Sequence, residues 1–187
     1  MKKILNIIPD NPYLVLVALN PTEEAISNGA VFSRDNGFWN LLVSADIINK
    51  SIYFVQLKDR AKAVFLEQNH SEFNIGFADL LPLESEKDSK KIKVKKGDAQ
   101  SLFDSTPQLK KAKRIALLGQ KVVDSFARDF NLKKWKDLEV INEGKRQFGI
   151  IGKIIIENNT IEIFAMPFPI NNNIENKHQF YSKLIKN

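Results

Sequence analysis

Hydrophobic runs alternate with polar and charged segments along most of this chain, and their lengths and spacing predict its secondary structure. Residues 13–19 are almost wholly apolar and rich in Val and Leu, which is typical of a strand buried on both faces in a parallel sheet. Runs of the same kind predict strands at residues 73–77 and 114–119, and two β-rich runs predict a hairpin of strands at residues 152–157 and 160–166. Asn158 and Asn159 form the predicted turn of this hairpin.

Apolar positions at helical spacing follow most of these strands and predict the helices. The predicted helices cover residues 37–49, 58–68, 98–103, 120–130 and 174–185. Asn36 is the predicted N-cap of the first helix. Residues 51–57, SIYFVQL, fit either a short strand or a helical segment. Strands that alternate with helices predict a single α/β domain over residues 1–187, a three-layer α/β/α fold with a mainly parallel central sheet and helices on both faces.

Composition narrows the classes of protein that this chain can represent. Its 187 residues are 43% hydrophobic, which is enough to bury one sizeable core. A formal net charge of +6 and a pI of about 9.4 are consistent with a polyanionic partner. The absence of cysteine excludes disulfides, thiol catalysis and cysteine-ligated iron–sulfur clusters. With only two histidines, a histidine-rich zinc site is not expected.

The N-terminal residues do not fit a signal peptide. Two lysines precede an apolar run at residues 4–8, but the polar and proline residues at 9–12 interrupt that run too early. No apolar run approaches the roughly 20 residues that a membrane-spanning helix needs. The sequence therefore predicts a cytoplasmic protein.

The strand at residues 13–19 delivers a candidate functional side chain. It runs directly into Asn20 and Pro21, which begin a polar stretch. Because ligands bind beyond the carboxyl ends of strands in open α/β sheets, Asn20 is well placed to meet a substrate. The alternative is that Asn20 and Pro21 only form the turn that ends the strand, since both residue types favour turns.

Five short motifs stand in order along the chain: ALNPT at residues 18–22, NGFW at 36–39, IGFADLLP at 75–82, IALLG at 115–119 and MPFPINNN at 166–173. Together they resemble the mismatch-specific uracil-DNA and thymine-DNA glycosylases of the uracil-DNA glycosylase superfamily. In that family the first motif reads G-I-N-P-G, and a loop with a base-stacking aromatic leads to an N-x-F-W helix start. Ala18 and Thr22 stand where the family prefers glycine.

The resemblance implies a uracil-DNA glycosylase-like fold and a function in base excision repair. The implied enzyme is a monofunctional DNA glycosylase that flips uracil or a related deaminated base out of DNA and hydrolyses its N-glycosidic bond. Asn20 takes the place of the catalytic asparagine, which positions the water, and Phe32 takes that of the aromatic that stacks on the flipped base. The other implied base-binding residues are Ala18, Leu19, Pro21, Thr22 and Asp79. The enzyme is expected to act as a monomer on damaged or deaminated DNA, without a metal ion or cofactor.

The last motif departs further from the family, whose counterpart reads L-P-N-P-S-G and is followed by residues that enter the duplex. Pro167 and Pro169 are kept, whereas Phe168 replaces the polar residue between them, and Ile170 and Asn171 replace Ser and Gly. The resemblance implies that all five contact DNA, with Ile170 as an apolar wedge between bases. The alternative is that Phe168 and Ile170 only cap the core.

A lysine-rich segment at residues 84–97 includes Lys90 and Lys91. Such a segment is either a solvated loop or a source of sequence-independent attraction to nucleic-acid phosphates. Together with the altered last motif, it leaves a second class of function open. This is a nucleic-acid-binding member of the same fold that has lost efficient catalysis.

Overall fold

A five-stranded sheet forms the centre of the protein in the computed structural model, which describes residues 6–33, 35–86, 88–141, 145–170 and 176–186. The described residues form seven strands in two sheets: Leu14–Ala18 (β1), Ile75–Asp79 (β2), Arg114–Leu118 (β3), Val140–Ile141 (β4), Lys145–Arg146 (β5), Gly149–Ile156 (β6) and Asn159–Met166 (β7). The central sheet has the order β2-β1-β3-β7-β6, with β6 antiparallel to β7 and the other pairs parallel. β4 and β5 form a separate two-stranded antiparallel sheet.

β1 lies inside the sheet and is buried along its whole length because its side chains are apolar on both faces. Successive side chains of a strand point to opposite faces. Leu14 and Leu16 accordingly belong to one hydrophobic cluster, and Val15 and Val17 belong to the other. The two clusters show that the sheet is covered on both sides.

Helices provide that cover. The face of Leu14 packs against Glu23–Asn28 (α1), Asn36–Ser44 (α2) and Lys177–Tyr181 (α5), and the face of Val15 packs against Asp98–Ser105 (α3) and Gln120–Phe130 (α4). The predicted α/β class, with a mostly parallel sheet flanked by helices, is therefore confirmed. The arrangement is compatible with a three-layer α/β/α fold.

The strand predictions were accurate to within a few residues. β2 lies two residues later than predicted, so Asp79 is its last residue. The hairpin turn contains Glu157 and Asn158 instead of Asn158 and Asn159, and Glu157 adopts a left-handed φ of 54°. Asn159 belongs to β7, where it pairs with Ile156, and its side-chain amide donates hydrogen bonds to the Lys110 and Ala112 carbonyls, at 2.8 and 3.0 Å.

The predicted N-cap and end of the first helix were wrong. Asp35 caps α2, since its Oδ1 accepts a hydrogen bond from the Phe38 amide at 3.1 Å. The Asn36 side chain instead accepts a hydrogen bond from Arg60 Nη1 at 2.9 Å. α2 ends at Ser44 instead of residue 49, because Asp46 adopts a left-handed φ of 59° that an α-helix does not accommodate.

Other helical segments also differ from the predictions. α1 lies in a stretch interpreted as polar loop, with the Thr22 side chain as its N-cap. The ambiguous residues 51–57 are helical in part, because Lys50–Phe54 form a 3₁₀ helix. The predicted helix at 58–68 is replaced by a 3₁₀ turn at Leu57–Asp59 and a π-helix at Lys62–Leu66. α5 is shorter than predicted, and residues 174 and 175 lie outside the described ranges.

β3 and α4 match the predicted strand and helix closely. Gly119, with a φ of 91°, joins them in a tight turn, which requires glycine because other residues rarely adopt this conformation. The turn directs the N-terminus of α4 toward the edge of the sheet where the parallel strands end. No helix in the described ranges is long and apolar enough to cross a membrane.

Candidate functional site

The carboxyl ends of the parallel strands surround a cavity of about 790 Å³. Its wall includes residues 18–22 at the end of β1 and just beyond it, and Phe77 and Asp79 of β2. It also includes residues 118–122, from the end of β3 into the first turn of α4, and Phe168 and Ile170 after β7. This volume is typical of small-molecule sites, and open α/β sheets bind their ligands at this edge. The cavity is therefore the candidate functional site.

Asn20, the predicted catalytic residue, lies on the cavity wall and is partly buried. Its Nδ2 donates hydrogen bonds to the carbonyl oxygens of Pro21 and Glu86, each at 3.1 Å. Both of its side-chain hydrogen bonds to described residues thus use the amide nitrogen. The amide oxygen accepts none from the described residues, and it can accept one from a water or a substrate.

The predicted base-binding residues of the first motif all line the same cavity: Ala18, Leu19, Pro21 and Thr22. The Thr22 hydroxyl oxygen accepts a hydrogen bond from the Ala25 amide at 3.1 Å, which caps α1. α1 in turn carries Glu24 and Ala25 to the wall. The first motif therefore shapes the cavity through both its own residues and the helix that it starts.

Phe32 also lines the cavity, as predicted from the resemblance. Its backbone has a left-handed φ of 51°, and its carbonyl accepts a hydrogen bond from Trp39 Nε1 at 3.2 Å. Phe38 stacks on its ring with centroids 3.7 Å apart, and Phe77 lies nearly perpendicular at 5.5 Å. Since Phe38 covers one face of the Phe32 ring, a flat ligand can stack only on the opposite face.

Asp79 places a carboxyl group on the cavity wall at the end of β2. The residue is only 3% exposed, and its backbone N–H donates to Asn6 Oδ1 at 3.1 Å. Burial raises the pKa of the Asp79 carboxyl to about 7, because the ionised form loses its hydration. Near neutral pH the group is therefore present in both the protonated and the ionised form.

The last motif reaches the cavity through two of its predicted DNA-binding residues. Phe168 and Ile170, which are 38% and 44% exposed, lie on the wall. Pro167 and Pro169 are buried and do not line it. Their carbonyls accept hydrogen bonds from the Tyr181 hydroxyl and from Lys177 Nζ, both at 2.8 Å, so α5 fixes this loop. The predicted contact residue Asn171 lies outside the described ranges.

The lysine-rich segment approaches the cavity from one side. Lys90 lines the wall, whereas Lys91 is exposed nearby and does not. Lys121 Nζ, at the start of α4, donates hydrogen bonds to the carbonyls of Ser89, Lys90 and Ile92, with distances of 3.4 Å to Lys90 and 2.6 Å to Ile92. Together with the bond from Asn20 to Glu86, these contacts hold the segment against the site. Sequence reasoning missed Lys121.

Sequence reasoning also missed several acidic residues on the wall. Glu24 lies in the polar stretch that follows Asn20 and Pro21, but it belongs to α1, is partly buried and lines the cavity. Asp35 and Glu86 lie there as well. Within the described part of the chain, no group of three His, Asp or Glu side chains could hold a metal ion.

The fold and the site define a class: a mostly parallel α/β protein with a ligand-sized cavity at the carboxyl ends of its strands. A scan against models of protein families finds no matching family, and a search among curated proteins finds no matching sequence. The function must therefore be inferred from the site itself and from the motifs that form it.

Proposed function

We propose that this protein is a monofunctional DNA glycosylase with a uracil-DNA glycosylase-like fold. It hydrolyses the N-glycosidic bond of uracil or a related deaminated base in DNA. The observation that carries the proposal is the convergence of Asn20, Phe32 and Asp79, which come from three separate stretches of the chain, on one cavity. The mostly parallel sheet flanked by helices supports the same interpretation.

A base must leave the duplex before its glycosidic bond can be reached, and the cavity has a volume suited to a flipped nucleotide. Phe32 stacks on the base with the ring face that Phe38 leaves open. The amide oxygen of Asn20 holds a water near C1′ of the sugar. An amide is a poor proton acceptor, so Asn20 contributes mainly by positioning the water.

Breaking the bond leaves negative charge on the departing base and positive charge on the sugar. Protonated Asp79 donates a hydrogen bond to a carbonyl oxygen of the base and so stabilises the negative charge. Ionised Asp79 opposes bond cleavage, since its carboxylate then faces the negative charge of the departing base in a buried site. Burial, which raises the pKa of Asp79 to about 7, favours the protonated form.

The test is base release from labelled oligonucleotides that contain uracil, hypoxanthine or thymine, as single strands and opposite guanine or adenine. Asn20→Ala is expected to abolish release while DNA binding remains, because the substitution removes the group that holds the water. The matched control is Asn69→Ala, which truncates an exposed asparagine that does not line the cavity. Turnover retained by Asn20→Ala contradicts the proposed mechanism.

A second candidate function is a nucleic-acid-binding protein of the same fold without efficient catalysis. The contact of the Asn20 amide with the Glu86 carbonyl favours it, because this bond ties the proposed catalytic group to the lysine-rich segment. The replacement of the polar residue of the last motif by Phe168 favours it as well. Salt-sensitive DNA binding with no base release from any substrate supports this candidate, and robust release excludes it.

A further inference from the structure

Two aromatic residues that are neighbours in sequence are exposed at the end of the 3₁₀ helix Lys50–Phe54. Phe54 is 93% exposed and Tyr53 is 44% exposed. Ile52, on the same helix, is fully buried and anchors the turn in the core. The two rings therefore extend from a fixed part of the fold and offer an apolar surface that a flat ligand can cover.

Arg60 adds a buried positive charge beside these rings. Its guanidinium carbon lies 5.5 Å from the centre of the Tyr53 ring, and the residue is only 7% exposed. Its Nε donates to the Val55 carbonyl at 3.2 Å, and its Nη1 donates to Asn36 Oδ1 at 2.9 Å. These bonds use two of its five N–H groups.

No carboxylate forms an ion pair with Arg60 among the residues that the structure describes. A guanidinium keeps its charge when buried, and a buried charge without a counter-ion is costly. In the described part of the chain, the Val55 and Asn36 oxygens and the Tyr53 ring face are the groups that compensate it. An anion that approaches the remaining N–H groups would complete the charge balance, and phosphate fits the fork of a guanidinium particularly well.

This aromatic surface, formed by Tyr53, Phe54 and Arg60, is linked to the cavity wall through Asn36. Asn36, which holds Arg60, directly follows Asp35, which lines the cavity wall. Lys50 and Lys58, both exposed, lie on the flanking 3₁₀ turns, where Asp59 is the only acid between residues 50 and 60. The stretch from residue 50 to residue 60 therefore carries a net charge of +2, which suits an anionic partner.

We propose that the aromatic surface binds a single-stranded nucleic acid, with a base stacked on Phe54 and a neighbouring phosphate paired with Arg60. Stacking suits any base because every base has a π face, and the alternation of ring and cation matches the alternation of base and phosphate along a strand. An acidic peptide matches the charge alone. The inference goes beyond the proposed function, since the nucleotides concerned are undamaged and lie outside the cavity.

The test is the binding of a fluorescently labelled single-stranded oligothymidylate, measured by anisotropy. Phe54→Ala is expected to weaken binding by about 5- to 150-fold, the effect of losing one stacked base. Phe54→Trp, which keeps an aromatic platform, is expected to bind like the wild type, and the added tryptophan emission is quenched by the oligonucleotide. The matched control is Ile155→Ala, which truncates a 75% exposed apolar side chain on β6.

Unchanged binding by Phe54→Ala, or an equal loss in Ile155→Ala, overturns the inference. A phosphopeptide that binds more tightly than the oligothymidylate also overturns it. Because anisotropy measures binding and not base release, the result does not require glycosylase activity. If Phe54→Ala binds the oligothymidylate like the wild type while base release depends on Asn20, only this inference is contradicted. If binding depends on Phe54 but no substrate releases a base, only the proposed function is contradicted.

Discussion

Asp79 shows how burial changes the chemistry of a single residue. The carboxyl of an unfolded chain titrates near 3.8, whereas burial raises the pKa of Asp79 to about 7 in the folded protein. The folded state therefore binds this proton more strongly than the unfolded state. Below the unfolded pKa both states are protonated and burial of the charge costs nothing. Stability is lost as the pH rises from the unfolded pKa through the folded one.

Asp79→Asn removes this loss because an amide has nearly the same shape and does not titrate. The free energy of unfolding of the variant relative to the wild type is expected to increase by roughly 2–3 kcal/mol between about pH 5 and about pH 8.5. Urea denaturation of both proteins at the two pH values measures this change. Other titrating groups cancel in the comparison. A difference in stability that is independent of pH would contradict a raised pKa at Asp79.

At the scale of elements, the lysine-rich segment depends on a distant helix for its position. Lys121 at the start of α4 donates hydrogen bonds to three carbonyls of the segment, those of Ser89, Lys90 and Ile92. Asn20 adds a fourth contact, to the Glu86 carbonyl. The segment has no helix or strand of its own from residue 88 to residue 97, so these side-chain bonds replace backbone pairing.

Lys121→Met keeps the aliphatic part of the side chain and removes its ammonium group. Faster amide hydrogen exchange is expected in residues 88–92, because local opening of the segment becomes easier. Mass spectrometry of peptides from this segment measures the change. Lys153→Met, on β6, is the matched control. Equal exchange in the wild type and Lys121→Met would show that the three bonds do not hold the segment.

The elements that could be predicted from sequence are those whose own apolar residues recur at strand or helical spacing. β1 and α4 have apolar residues at strand and helical spacing, and both lie where the pattern indicates. α1 was missed because Ala25 is its only buried residue, so six residues carry almost no periodicity. Asp35 and Asn36 are both good caps, and the choice between them depends on Arg60, which lies 24 residues away from Asn36.

The site residues that could be predicted from sequence are those that lie at the carboxyl ends of strands. Asn20 follows the carboxyl end of β1 by two residues, and Asp79 is the last residue of β2. Asn20 was named from its place after a predicted strand and from the resemblance, and Asp79 was named from the resemblance. Lys121 and Glu86 were not, since they act through contacts 29 to 66 residues apart in sequence. Such contacts depend on the tertiary structure, which no local pattern encodes.

At the scale of the whole molecule, two pairs of neighbouring lysines lie at different ends of the sheet. Lys90 and Lys91 lie at the end with the cavity. Lys110 and Lys111 lie at the opposite end, beside Asn159 at the start of β7. If the cavity receives a base from DNA, phosphates pass close to the first pair and far from the second.

The double variant Lys90→Ala with Lys91→Ala is therefore expected to bind duplex DNA more weakly. The slope of log K against log salt concentration is expected to become shallower by about 2, since each lost phosphate contact accounts for about 0.9. Anisotropy titrations over a range of salt concentrations measure this slope. Lys110→Ala with Lys111→Ala removes the same charge and is expected to leave the slope near that of the wild type. Equal effects of the two double variants would indicate attraction by net charge alone.

The central claim is that the cavity accepts a flipped base and that Asn20 enables hydrolysis of its glycosidic bond. Single-turnover release of free uracil, with the enzyme in saturating excess over a uracil-containing oligonucleotide, tests this claim most directly because differences in binding no longer contribute. We expect wild-type protein and Asn69→Ala to release uracil at the same rate and Asn20→Ala to release none. Equal release by Asn20→Ala, or no release by the wild-type protein when the oligonucleotide is fully bound, would contradict the claim.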